Sequence, residues 1–453
     1  MKKCVLFLMT AALMLGSNVM AQGQQIPNGD FETWTFDGEH LPNNWNSFQT
    51  LKAPSGFMGG IIKGIAYVEN NRQVKRSTDV RPGSSGQYSC SIWSRNVAGD
   101  INAQGNLTSG RVNAGGMSAT DVNNYNFTDR ANSTKNGDVT NPFAMKFTGT
   151  PKAVRVWVKY VQAGQTADYG DHATAKFSAI IHGDADYISY GLASNDNDAN
   201  KALVVASAVK EINYNGGKWE ELIIPFEYTN NGAQPAYIQV NASTNAYPGA
   251  GMANDYLYID DIEMIYNEGD MKVFANDPLY VTVNDVKAGP LDAIVLVKEN
   301  GDNTINFSLK NFVLKMDEET ELGVGNIDVN NIPVTVAKGV TSFTANQSIE
   351  IAEGDDPTVD GWMGPSLGAI PLDMSGKYDR DHLYVTINIP LNDYMQVYVE
   401  LGSEDAVTGI GTVKVAAPKA KTAGNVIYDI NGRRVSEMQP GRIYIVDGKK
   451  VVK

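Results

Sequence analysis

Cysteine is nearly absent from this chain of 453 residues. The two present are Cys4 and Cys90. Cys4 falls in an N-terminal segment expected to be removed, so one thiol remains and no intramolecular disulfide can form. In Tyr88-Ser-Cys-Ser-Ile-Trp93 that thiol reads as a small buried apolar group. Histidine is scarce too. His40, His172, His182 and His382 lack zinc-type spacing, although Asp171 and Asp184 leave a His–Asp pair open. No Gly-x-Ser-x-Gly elbow and no glycine loop with a phosphate-binding lysine occurs, which leaves nucleotide chemistry without support. No apolar run reaches 18 residues, so no transmembrane segment is expected in the mature chain. Positive charge is in the minority, 37 Lys and Arg against 51 Asp and Glu, for a net charge of −14. That balance argues against nucleic acid or an anionic membrane surface as a partner.

What is present begins with an export signal. Lys2 and Lys3 precede an apolar stretch at 5–15, and Val19-Met-Ala21 offers a cleavage site. Cleavage is expected after Ala21 rather than retention as an anchor, because no stop-transfer pattern follows. Cys4 precedes the apolar stretch, which does not fit a lipid-modified cysteine. Export without disulfides fits a bacterial protein of the cell surface or extracellular space, with the periplasm as the alternative.

The mature chain of roughly 430 residues is long enough for two or three domains. Helical periodicity is rare. The stretch 153–161 alternates, with Val154, Val156 and Val158 on one face, and 177–182, 222–228, 237–242 and 256–266 also read as strands. Short strands separated by Asn, Asp and Gly turns point to an all-β sandwich or barrel. Residues 202–211 read equally as helix or strand. Residues 104–136 are rich in Gly, Asn, Ser and Thr, and read as a functional loop region or as locally disordered. A break at 267–270 leads to further strands at 279–286, 294–298, 304–314 and 383–389. A second break at 407–424 leads to 426–430, a turn at Asn431-Gly432, 442–446 and a turn at Asp447-Gly448. From Lys414 to Lys453 there are nine basic against three acidic residues, +6. Such a change of sign at a linker marks a separate module.

Three stretches carry a family resemblance. Ile26-Pro-Asn-Gly-Asp-Phe-Glu-Thr-Trp34, Leu41-Pro-Asn-Asn-Trp45, Asn141-Pro-Phe143, Phe147-Thr-Gly-Thr-Pro151, Val156-Trp-Val-Lys-Tyr160, residues 219–226 and Tyr258-Ile-Asp-Asp-Ile262 occur in that order. The order resembles the carbohydrate metabolism domain of Bacteroidetes, a jelly-roll β-sandwich similar to carbohydrate-binding modules, and implies such a domain at 26–267. Leu309-Lys-Asn-Phe312, Gly323-Val-Gly-Asn-Ile327 and Ile370-Pro-Leu-Asp-Met374 resemble the calycin-like β-barrel domain and imply it at 277–404. Ile427-Tyr-Asp-Ile-Asn-Gly-Arg-Arg-Val435 followed by Gly441-Arg-Ile-Tyr-Ile-Val446 looks like a type IX secretion C-terminal sorting tail, departing in having Arg442 directly after Gly441. It implies a small β module at 425–453 after a linker at 405–424, and through it attachment at the cell surface.

The resemblance to jelly-roll modules opening Asn-Gly-Asp-Phe-Glu implies a structural calcium shared by the first and last strands. Its ligands would come from Asp30, Glu32, Asp260 and Asp261. Strand alternation lets at most one of Asp260 and Asp261 coordinate through its side chain; solvated carboxylates are the competing reading. Sugars stack their C–H faces on aromatic rings and hydrogen-bond to flanking polar groups. Arg111, Tyr125, Asn126, Tyr169 and Tyr187, near the long polar stretches, are the candidate glycan contacts. Trp34, Trp93, Trp157 and Trp219 read as core, and Trp362 as lining the barrel mouth or covering its end. Hydrolysis would need a placed carboxylate pair. The strand motif Glu-x-Asp-x-x-Glu is absent, and Asp184-x-Asp186 and Asp196-x-Asp198 read as turns. The expectation is a non-catalytic glycan-binding accessory protein. The calycin-like barrel would hold a small apolar or amphipathic ligand or serve as a spacer. A glycoside hydrolase or lyase with another carboxylate pair, and a structural or adhesion protein, stay open.

Overall fold

The structure is a computed structural model that describes residues 23–34, 41–66, 72–98, 101–133, 142–275, 277–315, 321–356, 359, 361–392 and 395–409, with strands at 427–429, 434–435, 443–446 and 449–452. The expected signal segment, His40, most of the linker and the tail turns at Asn431-Gly432 and Asp447-Gly448 lie outside the described residues. The chain divides into two units, Met1–Ile410 and Gly411–Lys453. The fold is all-β, as the alternation predicts.

The first part of the larger unit is a two-sheet sandwich. One sheet runs Val74–Ser77, Ser89–Trp93, Tyr256–Ile265, Ala153–Val161, Glu220–Pro225. The other runs Glu227–Tyr228, Val204–Ile212, Ala175–His182, Tyr237–Ser243, Asn106–Thr108, with Met145–Lys146 also paired to Tyr237–Ser243. Alternation explains the core between them. Val154, Val156, Val158 and Tyr160 are fully buried from one sheet, and Phe177, Ala179 and Ile181 from the other. Each such large apolar side chain contributes about 1.5–3 kcal/mol on burial. The ambiguous stretch at 202–211 is largely strand, Val204–Ile212, whose β-branched residues suit the pleat.

The same alternation corrects the reading of the tryptophans. With Val156 and Val158 inside, Trp157 must point out, and it is only half-buried, as are Trp93 and Trp219. Trp93 stacks on its cross-strand partner Tyr256 at 5.7 Å, and Tyr256 on Tyr258 at 6.3 Å. Trp34 is partly buried against the core. Trp45 is the fully buried one, 5.4 Å from the Phe31 ring. Cys90 is buried, and burial pushes its thiol well above the usual range.

The second part is a ten-stranded antiparallel sheet, ordered Met271–Phe274, Val295–Glu299, Thr304–Lys315, Glu321–Ala337, Val340–Glu350, Ala369–Tyr378, Leu383–Asn392, Met395–Leu401, Leu279–Val283, Val286–Leu291. It curls until its last strand touches Thr304–Lys315. Ile305, Phe307 and Leu309 alternate inward. A bulge at Asn311, φ 50°, then resets the register so that Phe312 and Leu314 also face inward. Val297, Val329, Phe343 and Leu383 help fill the interior. Trp362 lies against Gly354 and Gly323, so it packs onto its own loop and an adjoining strand end. The sandwich meets this sheet through Ala153, Ile265, Val273 and Leu296, and through Lys152 Nζ to Asp381 Oδ1 at 2.8 Å.

Gly411–Lys453 holds a four-stranded antiparallel sheet, ordered Arg434–Val435, Ile427–Asp429, Ile443–Val446, Lys449–Val452. Among the described residues no helix is long and apolar enough to cross a membrane, which leaves strand-spanning barrels unaddressed.

Candidate functional site

The polar stretch that follows Gln104 is not a simple loop. It forms Asn106–Thr108, Arg111–Ala114 and Asn124–Phe127; the last two make a three-stranded flap with Ile188–Tyr190. Its polar side chains hold it in place of apolar packing. Asn124 Oδ1 accepts from the N–H of Gly115 at 3.0 Å and of Gly116 at 3.1 Å, and Asn113 Nδ2 donates to Asn123 O at 2.6 Å.

The flap stands over the outward face of the second sandwich sheet and bounds with it a half-open cavity of about 200 Å³. That is the share of liquid occupied by roughly seven waters. The floor consists of two cross-strand rows. Lys176, Ser243 and Asn106 lie side by side in one, and Ser178 and Asn241 in the next, with the fully buried Thr108 beyond Asn241. The helix Phe57–Ala66 contributes Ile62 and Ile65 to the walls, and Tyr125 and Tyr190 close the flap side with their rings 5.6 Å apart. Burial and the neighbouring Tyr190 raise the Tyr125 hydroxyl pKa.

The chemistry of the lining is that of amides. Asn126 Nδ2 donates to Asn241 Oδ1 at 3.0 Å, and Thr108 Oγ1 donates to the same oxygen at 2.7 Å. Other amides in the lining are buried with atoms left unpaired: Gln73 Oε1, Asn102 Oδ1 and Nδ2, Gln104 Oε1, Asn106 Oδ1 and Asn245 Nδ2. Buried polar groups are seldom left so, because each costs about 1–3 kcal/mol. Gln73 is fixed by three contacts from its Nε2, to the carbonyls of Trp93, Ala103 and Gln104 at 2.8–3.0 Å. Asn245 needs Gly251 beside it: φ there is +80°, and a Cβ would lie 1.8 Å from Asn245 Nδ2. Lys176 is the one charged residue among the described lining residues, and no carboxylate is among them.

Of the five candidate glycan contacts, Tyr125 and Asn126 line this cavity. Arg111 does not. Its Nη1 pairs with Asp129 Oδ2 at 2.9 Å, its Nε donates to Thr50 O, and it packs 4.4 Å from the Phe143 ring. Tyr169 donates to the buried Asp255 Oδ1 at 2.6 Å, and burial pushes its hydroxyl up to about 12. Tyr187 is buried against His182, 5.4 Å between ring centroids. These three hold the framework. Gln73, Asn102, Gln104, Asn106 and Asn245 went unnoticed in the sequence, where isolated amides resemble turn residues. The Asn- and Gly-rich composition of 104–136 was the available signal.

The candidate calcium ligands lie on the first sandwich sheet and the turn beside it. The turn at Asn28–Glu32 touches the last sandwich strand, with Ile262 N–H donating to Gly29 O at 2.8 Å. Asp30 is exposed. Glu32 Oε1 accepts from the N–H of Gln87 at 2.8 Å and of Tyr88 at 2.9 Å. A bulge between Asp260 and Glu263 gives Asp261 φ 44° and lets both aspartates reach Arg81. Asp260 Oδ2 accepts from the Arg81 N–H at 3.2 Å, and Asp261 pairs with the Arg81 guanidinium. Burial raises the Asp260 carboxyl to about 7. Among the described residues no group of three or more His, Cys, Asp or Glu side chains assembles as a metal site. Arg81 supplies a cation to Asp261 and a backbone donor to Asp260, and Glu32 is held by two backbone N–H groups.

A wider cleft of about 900 Å³ lies between the sandwich and the ten-stranded sheet. Three of its carboxylates are engaged: Glu220 with Asn215 Nδ2 at 3.3 Å, Glu221 with Arg155 at 3.5 Å and Glu211 with Thr174 Oγ1 at 2.8 Å. Burial raises the Glu220 carboxyl pKa.

Residues 276–402 match the calycin-like β-barrel domain family. No curated protein matches the chain significantly. Two solved structures similar to it are proteins provisionally designated glycoside hydrolases. One, from Bacteroides thetaiotaomicron, is 15% identical over 49% of this chain and 62% of its own, with a TM-score of 0.33. The other, from Bacteroides vulgatus, is 13% identical over 54% of this chain and 96% of its own, also with a TM-score of 0.33. The chain thus spans less than two thirds of the first of them. Likenesses at that level carry no argument about the site.

Proposed function

We propose that this chain is an exported glycan-binding protein that seats one sugar residue in the amide-lined cavity and does not cleave it. The observation that carries the reading is the set of amide side chains of Gln73, Asn102, Gln104, Asn106 and Asn245, gathered in the lining of one cavity. Side-chain amides both donate and accept, and match the alternating hydroxyls of a sugar. Tyr125 and Tyr190 offer rings for its C–H face. A fatty ligand would leave those amides unpaired, and a nucleotide would bring more negative charge than a single lysine answers. Glycoside hydrolysis requires two placed carboxyl groups, and the described lining supplies none.

The test is a glycan array on the purified chain, with reducing-sugar release measured on every hit. Binding that weakens at least tenfold in Asn102→Leu, without cleavage, is the expected result. Cleavage would replace this reading with that of a hydrolase, and an array without hits would reject it in favour of an adhesion role. Delivery to the cell surface by the tail is part of the proposal. Surface labelling of cells producing the chain without residues 426–453 tests it, and undiminished labelling would remove the tail from the export route.

A further inference from the structure

The cavity has two kinds of surface. Its floor is polar, with Lys176, Ser243 and Asn106 in one row and Ser178 and Asn241 in the next. Part of its wall is aliphatic. Ile62 and Ile65 come to it from the helix Phe57–Ala66, Val97 and Ile101 from the hairpin of Arg95–Ala98 with Ile101–Ala103, and Val112 and Met117 from the flap. Ile62 and Val112 are buried, and the other four are half-buried, each keeping some apolar surface free.

Hydrogen bonds fix this wall beside the floor. The segment leading into the helix is held to the flap: Lys52 N–H donates to Val112 O at 2.7 Å, and Ala114 N–H to Lys52 O at 2.9 Å. Near its other end the helix is held to the hairpin, where Arg95 Nη2 donates to Ile65 O at 2.6 Å. The hairpin is in turn held to the floor strands. Gly105 N–H donates to Thr244 Oγ1 at 2.9 Å, and Thr244 N–H to Gly105 O at 3.2 Å. A Cβ at Gly105 would lie 2.6 Å from the Trp93 nitrogen, so only glycine lets the hairpin sit this close. Aliphatic side chains and a polar floor therefore face one small space. A hexose carries a hydroxyl or hydroxymethyl group on nearly every ring carbon. Against the aliphatic wall those groups would give up water and find no hydrogen-bond partner. A methyl group has no such loss, and it covers apolar surface there.

We propose that the bound sugar carries a methyl group, seated against Ile65 and Ile101, with its ring hydroxyls over the polar floor. This rests on the glycan-binding reading above and adds the ligand's substituent to it. Two sugar substituents supply that shared chemistry, the acetamido group of an N-acetylhexosamine and the C6 methyl of a 6-deoxyhexose. One methyl group in an apolar pocket changes affinity by about tenfold or more. Because the cavity is half-open, the low end of that range is expected.

Matched monosaccharides separate the possibilities: galactose, 6-deoxygalactose, N-acetylgalactosamine and N-formylgalactosamine, with the corresponding gluco set, titrated calorimetrically into the full chain. The expected result is that the 6-deoxy or the N-acetyl member binds about tenfold more tightly than the parent hexose, with a more negative heat-capacity change. Which of the two gains says which substituent is taken. The N-formyl sugar keeps the amide and lacks the methyl, so a gain due to the acetamido methyl should be lost in it. A gain confined to the N-acetyl sugar and kept by the N-formyl one would mean that the amide is read, and would overturn this proposal. Parent hexoses binding as tightly as the methyl-bearing members would overturn it too. Both outcomes leave the glycan reading intact, whereas no sugar binding in either set would overturn both. Ile65→Thr and Ile101→Thr each put a hydroxyl into the wall and should shrink the ratio of methyl-bearing to parent affinity by about threefold. A ratio unchanged in both would overturn the proposal. Circular dichroism checks that the variants are folded, and the ligand series on the unmodified chain decides if they are not.

Discussion

Asn126 donates to Asn241 at 3.0 Å, so a single amide pair ties the flap over the cavity to its floor. That pair is satisfied, and Asn102, in the same lining, is not. The two kinds of amide should respond oppositely to removal. Asn126→Ala should cost about 1 kcal/mol of stability, the worth of a lost hydrogen bond, and loosen the flap as well as weaken sugar binding. Asn102→Leu removes two buried unpaired atoms at similar volume, so its melting temperature should rise by a few degrees while binding is lost. Differential scanning calorimetry with binding titration checks both. Destabilisation by Asn102→Leu would mean that its amide serves the fold and not a ligand.

Arg81 is predicted to do the work of a cation at the last sandwich strand. Its guanidinium meets Asp261 and its N–H meets Asp260. The melting temperature of the unmodified chain should therefore be the same in calcium and in chelator. In Arg81→Ala the paired carboxylates lose their counter-charge, the melting temperature should drop, and calcium should restore part of the loss. A calcium-dependent shift in the unmodified chain would show that a metal, and not Arg81, holds this corner.

The strands of the sandwich core were legible because Val154, Val156 and Val158 repeat with the strand period, and burial obeys that period. The match at 276–402 likewise falls where Leu309-Lys-Asn-Phe312 had pointed to a calycin-like barrel. The site was legible in part. Tyr125 and Asn126 stood out as an aromatic and an amide in a polar stretch, and they do meet in the cavity. Its other walls come from Gln73, Asn102 and Asn245, brought together by pairing across the fold, and no local period marks such residues. The tryptophans misled for a related reason: size alone argues for burial, but the register decides which face a residue takes.

His182 predicts a pH dependence of known sign. It is fully buried between Tyr187 and Tyr237, with Nε2 at 2.9 Å from Thr128 Oγ1. Burial, aided by Arg130, lowers its pKa to about 4 from 6.5. The folded chain holds this ring neutral, while the unfolded chain takes up a proton below 6.5. Its contribution is complete above pH 6.5 and is lost as pH falls toward 4, a change of about 3 kcal/mol. Urea titrations of the unmodified chain and of His182→Gln between pH 7 and pH 4 isolate it, since other groups cancel in the difference. The gap between the two should narrow by about that amount, and a gap independent of pH would place a proton on the folded imidazole.

The helix Phe57–Ala66 contributes Ile62 and Ile65 to the cavity yet contains three glycines, Gly59, Gly60 and Gly64. Glycine inside a helix costs about 1 kcal/mol relative to alanine, because its backbone gives up more freedom on folding. At Gly60 and Gly64 a Cβ would meet nothing within 4 Å, whereas at Gly59 it would lie 1.7 Å from the Pro54 carbonyl oxygen. Gly60→Ala and Gly64→Ala should each slow hydrogen exchange of the Ile62 and Ile65 amides by about fivefold, the equivalent of 1 kcal/mol. Gly59→Ala should speed it. A helix held firmly by its neighbours would exchange at the global unfolding rate in all three variants, and the glycines would then have no bearing on opening of the cavity. If local opening admits the sugar, the two protecting substitutions should also lower the association rate while leaving the lining amides untouched.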